Sequence, residues 1–449
     1  MSPRSSRKRE GQDPSILEKT LALAKKKAEE AEVYVTSYER TRVVFEANQL
    51  KQLTTSQGTL VALRLVKNGR IGMATSTELG EKEALVRRAL DVAQFGATAR
   101  FTLPSGLDYP EVSIHDPAVE EVSMERMVDL GQALISGARE HTPELVCEAR
   151  IGKRTSSVRV INSRGGDASF KRSNFGIEVE GILIRGTDML FVGDRDSSCR
   201  VIMDVGEVLR EVKRQLEWAK REAAVASARL PVIFTPDGVS SALFPALRRG
   251  FNGSTVIQGA SPLQNKRGEQ AFDKRLSLYD DATVPLRPRS RPCDDEGTPT
   301  QRTALIEQGV VCNFLYDLQT AGLAKAQSTG NGKRETGIPV PKESAFIVGE
   351  GDTPFEDMLR DMKEGLVVDM LMGASQANVL GGDFGGNVLL GYKVENGEII
   401  GRVKNVVLSG NIYTALAKLV AIGKERRWVG GIGCTPALYL SDLAVASKG

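Results

Sequence analysis

Apolar residues recur at helical spacing at Ile16, Leu17, Leu21, Ala24 and Ala28, which predicts a first helix. Asp13-Pro14 leads into it, and Ser15 with Glu18 has the spacing of a capping box. Short strands are expected at Glu32–Ser37 and Val43–Ala47. Two more, Thr59–Val66 and Arg70–Thr75, flank Asn68-Gly69, a dipeptide suited to the positive φ of a type I′ hairpin turn. Amphipathic helices are predicted over Lys82–Phe95, with Leu85, Ala89, Val92 and Ala93 on one side, over Met124–Arg139, and from about Val205 to Arg221. Residues 144–203 read as strands throughout, with Arg150–Val158 as a hairpin and Asn162–Gly166 as a turn.

The pattern shifts after Ala224–Leu230, where Pro231 opens a buried-strand sequence. Beyond it, Gln308-Gly309 and Asn396-Gly397 sit between strand-like runs, again at hairpin spacing. Thr353–Glu356 is a second capping-box candidate, with Gly365 as a stop. Val284–Pro292, with Pro residues and Arg287, Arg289 and Arg291, predicts an extended surface loop. Strands interrupted by helices without βαβ regularity predict an α+β chain. The expected division is a disordered basic tail over 1–12, an α+β domain with a mixed or antiparallel sheet over 13–224, and a β-rich domain over 225–449.

Composition narrows the function by exclusion. A net charge of +3 implies no large single-sign field, and two Trp residues argue against base stacking on nucleic acid. The Arg4, Arg7, Lys8 and Arg9 cluster belongs to the polar tail. No apolar leader or spanning segment is read, which gives the expectation of a cytoplasmic protein with no membrane contact. Cys147, Cys199, Cys293, Cys312 and Cys434 are odd in number and lack CxxC spacing, as reduced thiols would be. His115 and His141 are the only histidines and are not spaced to share a metal.

Three strings carry the candidate chemistry. Asp294-Asp295-Glu296 offers consecutive carboxylates, read as a cation site, as acids bracing a loop, or as a substrate contact. Ser328–Arg334 is Gly-rich but lacks P-loop spacing, which leaves an exposed basic turn or a contact for a peptide carboxylate or carbonyl. Gly381–Gly386 would let backbones approach closely, at a sheet edge or a bulge. Cysteine catalysis is disfavoured, because Cys293 stands beside acids that would raise its pKa.

These strings, with Leu408–Asn411 and Gly431–Pro436, resemble the TldD/PmbA (modulator of DNA gyrase) metallopeptidase family over most of the chain. The resemblance implies an N-terminal α+β domain and a C-terminal β-rich domain, paired into dimers around a cavity. The active branch of that family carries His-Glu-x-x-x-His on a helix as a zinc site. Counting back from Gly253, the matching positions are Phe244, Pro245 and Arg249, none of which can replace a ligand or the base. The family's later Cys falls near Trp428–Gly431, also without a thiol. The departure resembles the PmbA/TldE branch. It implies no catalytic or metal residue in this chain, with zinc supplied by a TldD-like partner subunit. The implied substrate is an extended or unfolded peptide, with Thr298, Asn331 and Arg334 as the nearest side chains. Alone, the chain is expected to be an inactive homodimer with no direct nucleic-acid contact. The alternative is a stand-alone homodimeric peptide-binding or regulatory protein.

Overall fold

The computed structural model describes residues 14–447 except Leu79 and Thr336; the expected tail over 1–12 lies outside the described residues. The chain is α+β. Its N-terminal half is built on one antiparallel sheet ordered β3-β2-β1-β4-β5-β6. The strands are long: β1 spans Glu30–Glu46, β2 Gln49–Lys67, β3 Arg70–Ser76, β4 Val146–Asn162, β5 Asp167–Arg185 and β6 Asp188–Ser198. The short strands expected near Glu32 and Val43 are therefore one strand. The hairpin expected at Arg150–Val158 is part of continuous β4, paired along its length with β1 and β5. The turns are where the sequence places them, with Asn68 and Gly69 at φ 50° and 68°.

Side-chain alternation gives this sheet two different faces. Ala31, Val33, Val35, Leu63 and Leu65 pack under α1 (Pro14–Lys25) and α2 (Lys82–Ala93). In α2 it is Val86 that is buried, while Val92, expected on the apolar side, is 48% exposed. The short α3 (Ala118–Glu121) precedes α4 (Met124–His141), whose Ser123 cap accepts from the Arg126 N–H. Helix α4 covers Val43, Phe45, Ala149 and Ile151 further along the sheet. The opposite face, with Tyr34, Ala62, Val158, Val160 and Ala168, packs against Cys293 from the C-terminal half.

Helix α5 (Gly206–Trp218) joins the halves. Its Val208, Val212 and Leu216 share one core with α4 and with Val367, Leu390 and Tyr392. Then β7 (Ala228–Phe234) opens a seven-stranded sheet. Five of its strands form a closed ring. Strand 364–372 pairs with β7 and with strand 383–395, strand 438–447 pairs with β7 and with strand 406–411, and strand 406–411 pairs with 383–395. Closure leaves those five without free edges. A second, six-stranded sheet carries strands 278–281, 302–307, 310–311, 346–348, 427–429 and 433–435. The β7/364–372 and 346–348/433–435 pairings are parallel.

Two local expectations change. Thr353 does not cap: the helix is Phe355–Asp361 with Pro354 at its cap and no side-chain bond there, and Gly365 already lies in strand 364–372. Its terminus is fixed by Pro354 geometry and by Met358 burying into the core. Gly381–Gly386 is not an open edge, because Asp383–Asn387 pairs with strand 406–411. A Cβ on Gly386 would lie 2.0 Å from the Met372 carbonyl oxygen, so glycine there permits close backbone approach.

Candidate functional site

The segment expected as a surface loop, Val284–Pro292, runs between the halves. Ser290 is fully buried and Arg291 is 4% exposed. Leu286, at φ 61°, donates its N–H to the Ser113 carbonyl and accepts from the Cys199 N–H. The segment is a loop as composition marks it, and most of it is half-buried or exposed, but the facing half of the molecule covers Ser290 and Arg291.

The three acids that follow are buried as well. Asp294 accepts the N–H groups of Glu296 and Thr298 at 2.9 Å and of Gly332 at 2.8 Å. Glu296 pairs with Arg64 Nη1 at 2.6 Å and accepts the Leu318 N–H at 2.8 Å. Asp295 meets Lys333 Nζ at 3.0 Å and Arg291 Nη1 at 3.3 Å, and accepts the Arg334 N–H at 2.9 Å. Arg64 Nε lies 2.7 Å from Glu32, which Arg334 Nη2 also contacts. Burial drives the Asp294 and Glu296 carboxyls upward, opposed by Arg291 and Arg64 respectively. Burial raises Asp295 too, but Lys333 and Arg291 outweigh it and hold it below the usual range. The string therefore ties the 294–300 loop, the 332–334 strand and two strands of the N-terminal sheet together. This is the loop-bracing arrangement.

The three residues expected near a peptide occupy this interior. Arg334, expected at an exposed basic end, has a fully buried side chain that donates to the Asp295 and Gly337 carbonyls at 3.1 and 2.9 Å. Burial pulls its guanidinium down to about 9. Asn331 Nδ2 donates to Asp280 at 2.7 Å and to the Lys342 carbonyl at 3.1 Å. Thr298 Oγ1 is buried without a hydrogen-bond partner. Two of the three side chains are thus committed within the chain, and Thr298 alone keeps an uncommitted hydroxyl.

The stretch with the zinc-motif positions follows β7. Thr235 caps the turn Pro236–Gly238, a π-helical turn spans Val239–Leu243, and an α-helix runs Phe244–Gly250. Phe244 is fully buried, edge-to-face with Phe346 at 5.5 Å, and Arg248 lies beside both rings. Pro245 is half-buried and Arg249 is exposed. The three positions do not converge on one point.

A second charged centre, not anticipated from the sequence, stands at the start of this stretch. Arg214 of α5 makes a two-pronged contact with Asp369 at 2.9 and 3.0 Å and also pairs with Glu211. Arg427 holds Asp194 at 2.5 Å and Asp237 at 2.7 Å. Thr235 Oγ1 donates to Asp369 at 2.6 Å. Burial pushes Asp194 up to about 7 and Asp237 up to about 6, with Arg427 opposing both. A lone Asp369 within Val367-Val368-Asp369-Met370-Leu371 was the available signal, since a buried acid in an apolar strand demands a cation.

The remaining nucleophile and ligand candidates stay apart. All five cysteines are free, and burial followed by Asp294 pushes the Cys293 thiol up to about 12. His115 contacts Glu120 at 3.4 Å, while His141 contacts Glu217 at 2.6 Å. Among the described residues no helix is long and apolar enough to cross a membrane.

Residues 227–447 match the PmbA/TldA metallopeptidase C-terminal domain, and residues 31–93 match domain 1 of the same metallopeptidases. The chain belongs to the PmbA/TldD family. It is 25% identical over 460 residues to the metalloprotease PmbA of Escherichia coli O157:H7, covering 95% of this chain and 94% of that protein. A metalloprotease of Methanocaldococcus jannaschii, MJ0996, is 31% identical over 198 residues, 44% of each chain. The crystal structure of TldE from Thermococcus kodakarensis superposes with a TM-score of 0.87 at 25% identity, covering 96% of this chain and 100% of that one.

Relatives named metalloproteases point to zinc in the family, so the donor set here must be tested against it. Phe244 offers no lone pair and is packed against the Phe346 ring, Pro245 has no carboxylate, and the Arg249 guanidinium is a donor-only group. Among the described residues no group of three or more His, Cys, Asp or Glu is placed to hold a metal ion. The residues at this position do not fit zinc.

Proposed function

We propose that this chain is the non-catalytic, TldE-like subunit of a heterodimeric TldD/TldE zinc peptidase acting in the cytosol. It closes the chamber and helps hold an extended peptide, and the TldD-like partner supplies the metal. Residues 13–224 and 225–449 serve as its two domains. The observation that carries this reading is Phe244. The position of the first ligand is not merely changed but filled by a buried ring against Phe346. Backbone recognition suits such a role, because every peptide residue offers the same N–H and C=O groups. Of the three side chains expected nearest the peptide, Thr298 keeps a hydroxyl to offer it, while Asn331 and Arg334 contribute by holding their loops.

The test is affinity purification from the native cell, followed by reconstitution. A TldD-like chain bearing His-Glu-x-x-x-His should co-purify and displace the homodimer. Peptidase activity should then appear only in the pair, with zinc only in the partner. One zinc per chain of this protein with chelator-sensitive activity alone would refute the proposal. Failure to co-purify any such partner would favour the homodimeric peptide-binding reading.

A further inference from the structure

Around Asp295 the ion pairing is uneven. Lys333 and Arg291 both lean on this one carboxylate, at 3.0 and 3.3 Å. A third cation, Arg172, faces the same place. It lies four residues beyond Ala168 on β5, on the sheet face that packs against Cys293. Arg172 is within electrostatic reach of Arg291, Asp295 and Tyr34, yet it makes no hydrogen bond or ion pair among the described residues. Arg291 is 4% exposed, and its Nε is buried without a hydrogen-bond partner. Lys333 is 35% exposed, which leaves the cluster open to solvent on its side. Burial, and then repulsion from Arg291, draws the Arg172 guanidinium downward. Lys333 is drawn down by burial and by the same neighbours, although Asp295 opposes this.

Arg291 is also within reach of the buried Asp294 and Asp280, but among the described residues Arg172 has no ion pair and the Arg291 Nε–H has no partner. A partly desolvated guanidinium without a partner is costly unless an anion completes it. The rim supplies a second feature. Lys333 stands opposite Val340 in the 332–334/339–341 pairing, and Val340 and Ile338 are exposed apolar residues at 42% and 59%. An apolar lip beside a cationic recess matches a peptide end better than a free inorganic ion. Guanidinium groups are also shaped to take a carboxylate through two parallel N–H bonds.

We propose that Arg172, Arg291 and Lys333 form a binding site for a peptide carboxylate, with the adjoining residue of that peptide resting on Ile338 and Val340. This deepens the peptide-holding reading above and rests on it. It also assigns the carboxylate to groups with spare donors rather than to Arg334, whose donors are spent. A C-terminal carboxylate and an acidic side chain share this chemistry, and the test separates them.

The experiment is fluorescence anisotropy on the full chain with N-terminally labelled pentaalanine, its C-terminal amide, and an amide carrying one aspartate. The free acid should bind about tenfold more tightly than the plain amide. If the aspartyl amide recovers that affinity, side-chain carboxylates are ligands too; if it does not, the site reads C-termini. Arg172→Gln and Lys333→Met should each erase the preference, and Lys333→Arg should keep it. Arg172→Gln breaks no ion pair among the described residues and should retain the wild-type melting temperature; Lys333→Met takes one of two cations from Asp295 and is used only if circular dichroism shows it folded. Equal binding of acid and amide, no binding of either, or a preference surviving in both variants would overturn the site. Those results would leave co-purification with a TldD-like chain untouched, so the subunit proposal stands or falls separately.

Discussion

The two charged centres between the halves differ in how their acids are answered. In the first, Glu32, Asp294, Asp295 and Glu296 meet Arg64, Arg291, Lys333 and Arg334, and Asp294 also takes three backbone N–H groups. In the second, Asp194, Glu211, Asp237 and Asp369 share only Arg214 and Arg427. The first centre is the more rigid, because removing Arg64, Glu32 or Glu296 strands a fully buried charge. The acid-rich centre can relieve itself by taking up a proton near neutral pH, with Asp194 pushed up to about 7, although Asp294 and Glu296 of the first centre are raised too, to about 6 and about 8. The same count of carboxylates is therefore a weld of cations and backbone N–H groups in one place and an acid-rich joint on two arginines in the other.

The sharpest way to break that contrast is to delete an acid from each. Glu296→Ala leaves Arg64 buried with half its partners gone, and should cost about 3–5 kcal/mol in urea unfolding. Asp194→Ala should cost clearly less, because Arg427 keeps Asp237. Equal losses would mean that the two centres are not different in kind. Next in size is Gly332→Ala, whose Cβ would fall 2.4 Å from Glu296 Oε2 and 2.9 Å from Asp294 Oδ2. Overpacking of this kind costs about 1–3 kcal/mol, and an unchanged urea midpoint would show that the weld has slack.

The pH response sharpens the other side. Asp194 at about 7 and Asp237 at about 6 lie above the unfolded carboxylate range. The folded state then holds more protons than the unfolded one from about pH 4 to 7. Stability should be full below the unfolded pKa and decline as pH rises through the folded values, by up to about 1.4 kcal/mol per pH unit for each proton. Urea midpoints at pH 5, 6, 7 and 8 should fall in the wild type and fall less steeply in Asp194→Asn. A rising profile would reverse the assignment. The smallest effect is expected at the exposed Arg229–Asp442 pair, where Arg229→Ala should leave the midpoint unchanged.

Legibility in the sequence followed the range of the forces involved. Asn68-Gly69, Gln308-Gly309 and Asn396-Gly397 were readable because positive φ is a local demand, and each lies in a turn between paired strands. The absent zinc ligands were readable by counting from Gly253. The burial of Arg291 and Arg334 was not, because part of their surroundings comes from Tyr34 and Glu32 of β1, more than 200 residues earlier. The second charged centre was equally hidden, since its members are scattered from Asp194 to Arg427 and no short window contains two cations and their acids. The π-helical turn at Val239–Leu243 has no residue pattern that distinguishes it from α-helix.

The closed ring of strands sets an order of events during synthesis. Strand β7 emerges early, but its neighbours are Leu366–Val368 and Ala444–Leu438, the latter reaching it only when about two hundred further residues have been made. Until then β7 and strand 406–411 each present an unpaired apolar margin of the kind that seeks other chains. A ribosome that stalls before residue 438 would therefore hold an open ring with two adhesive edges, and chaperone demand should peak in that interval.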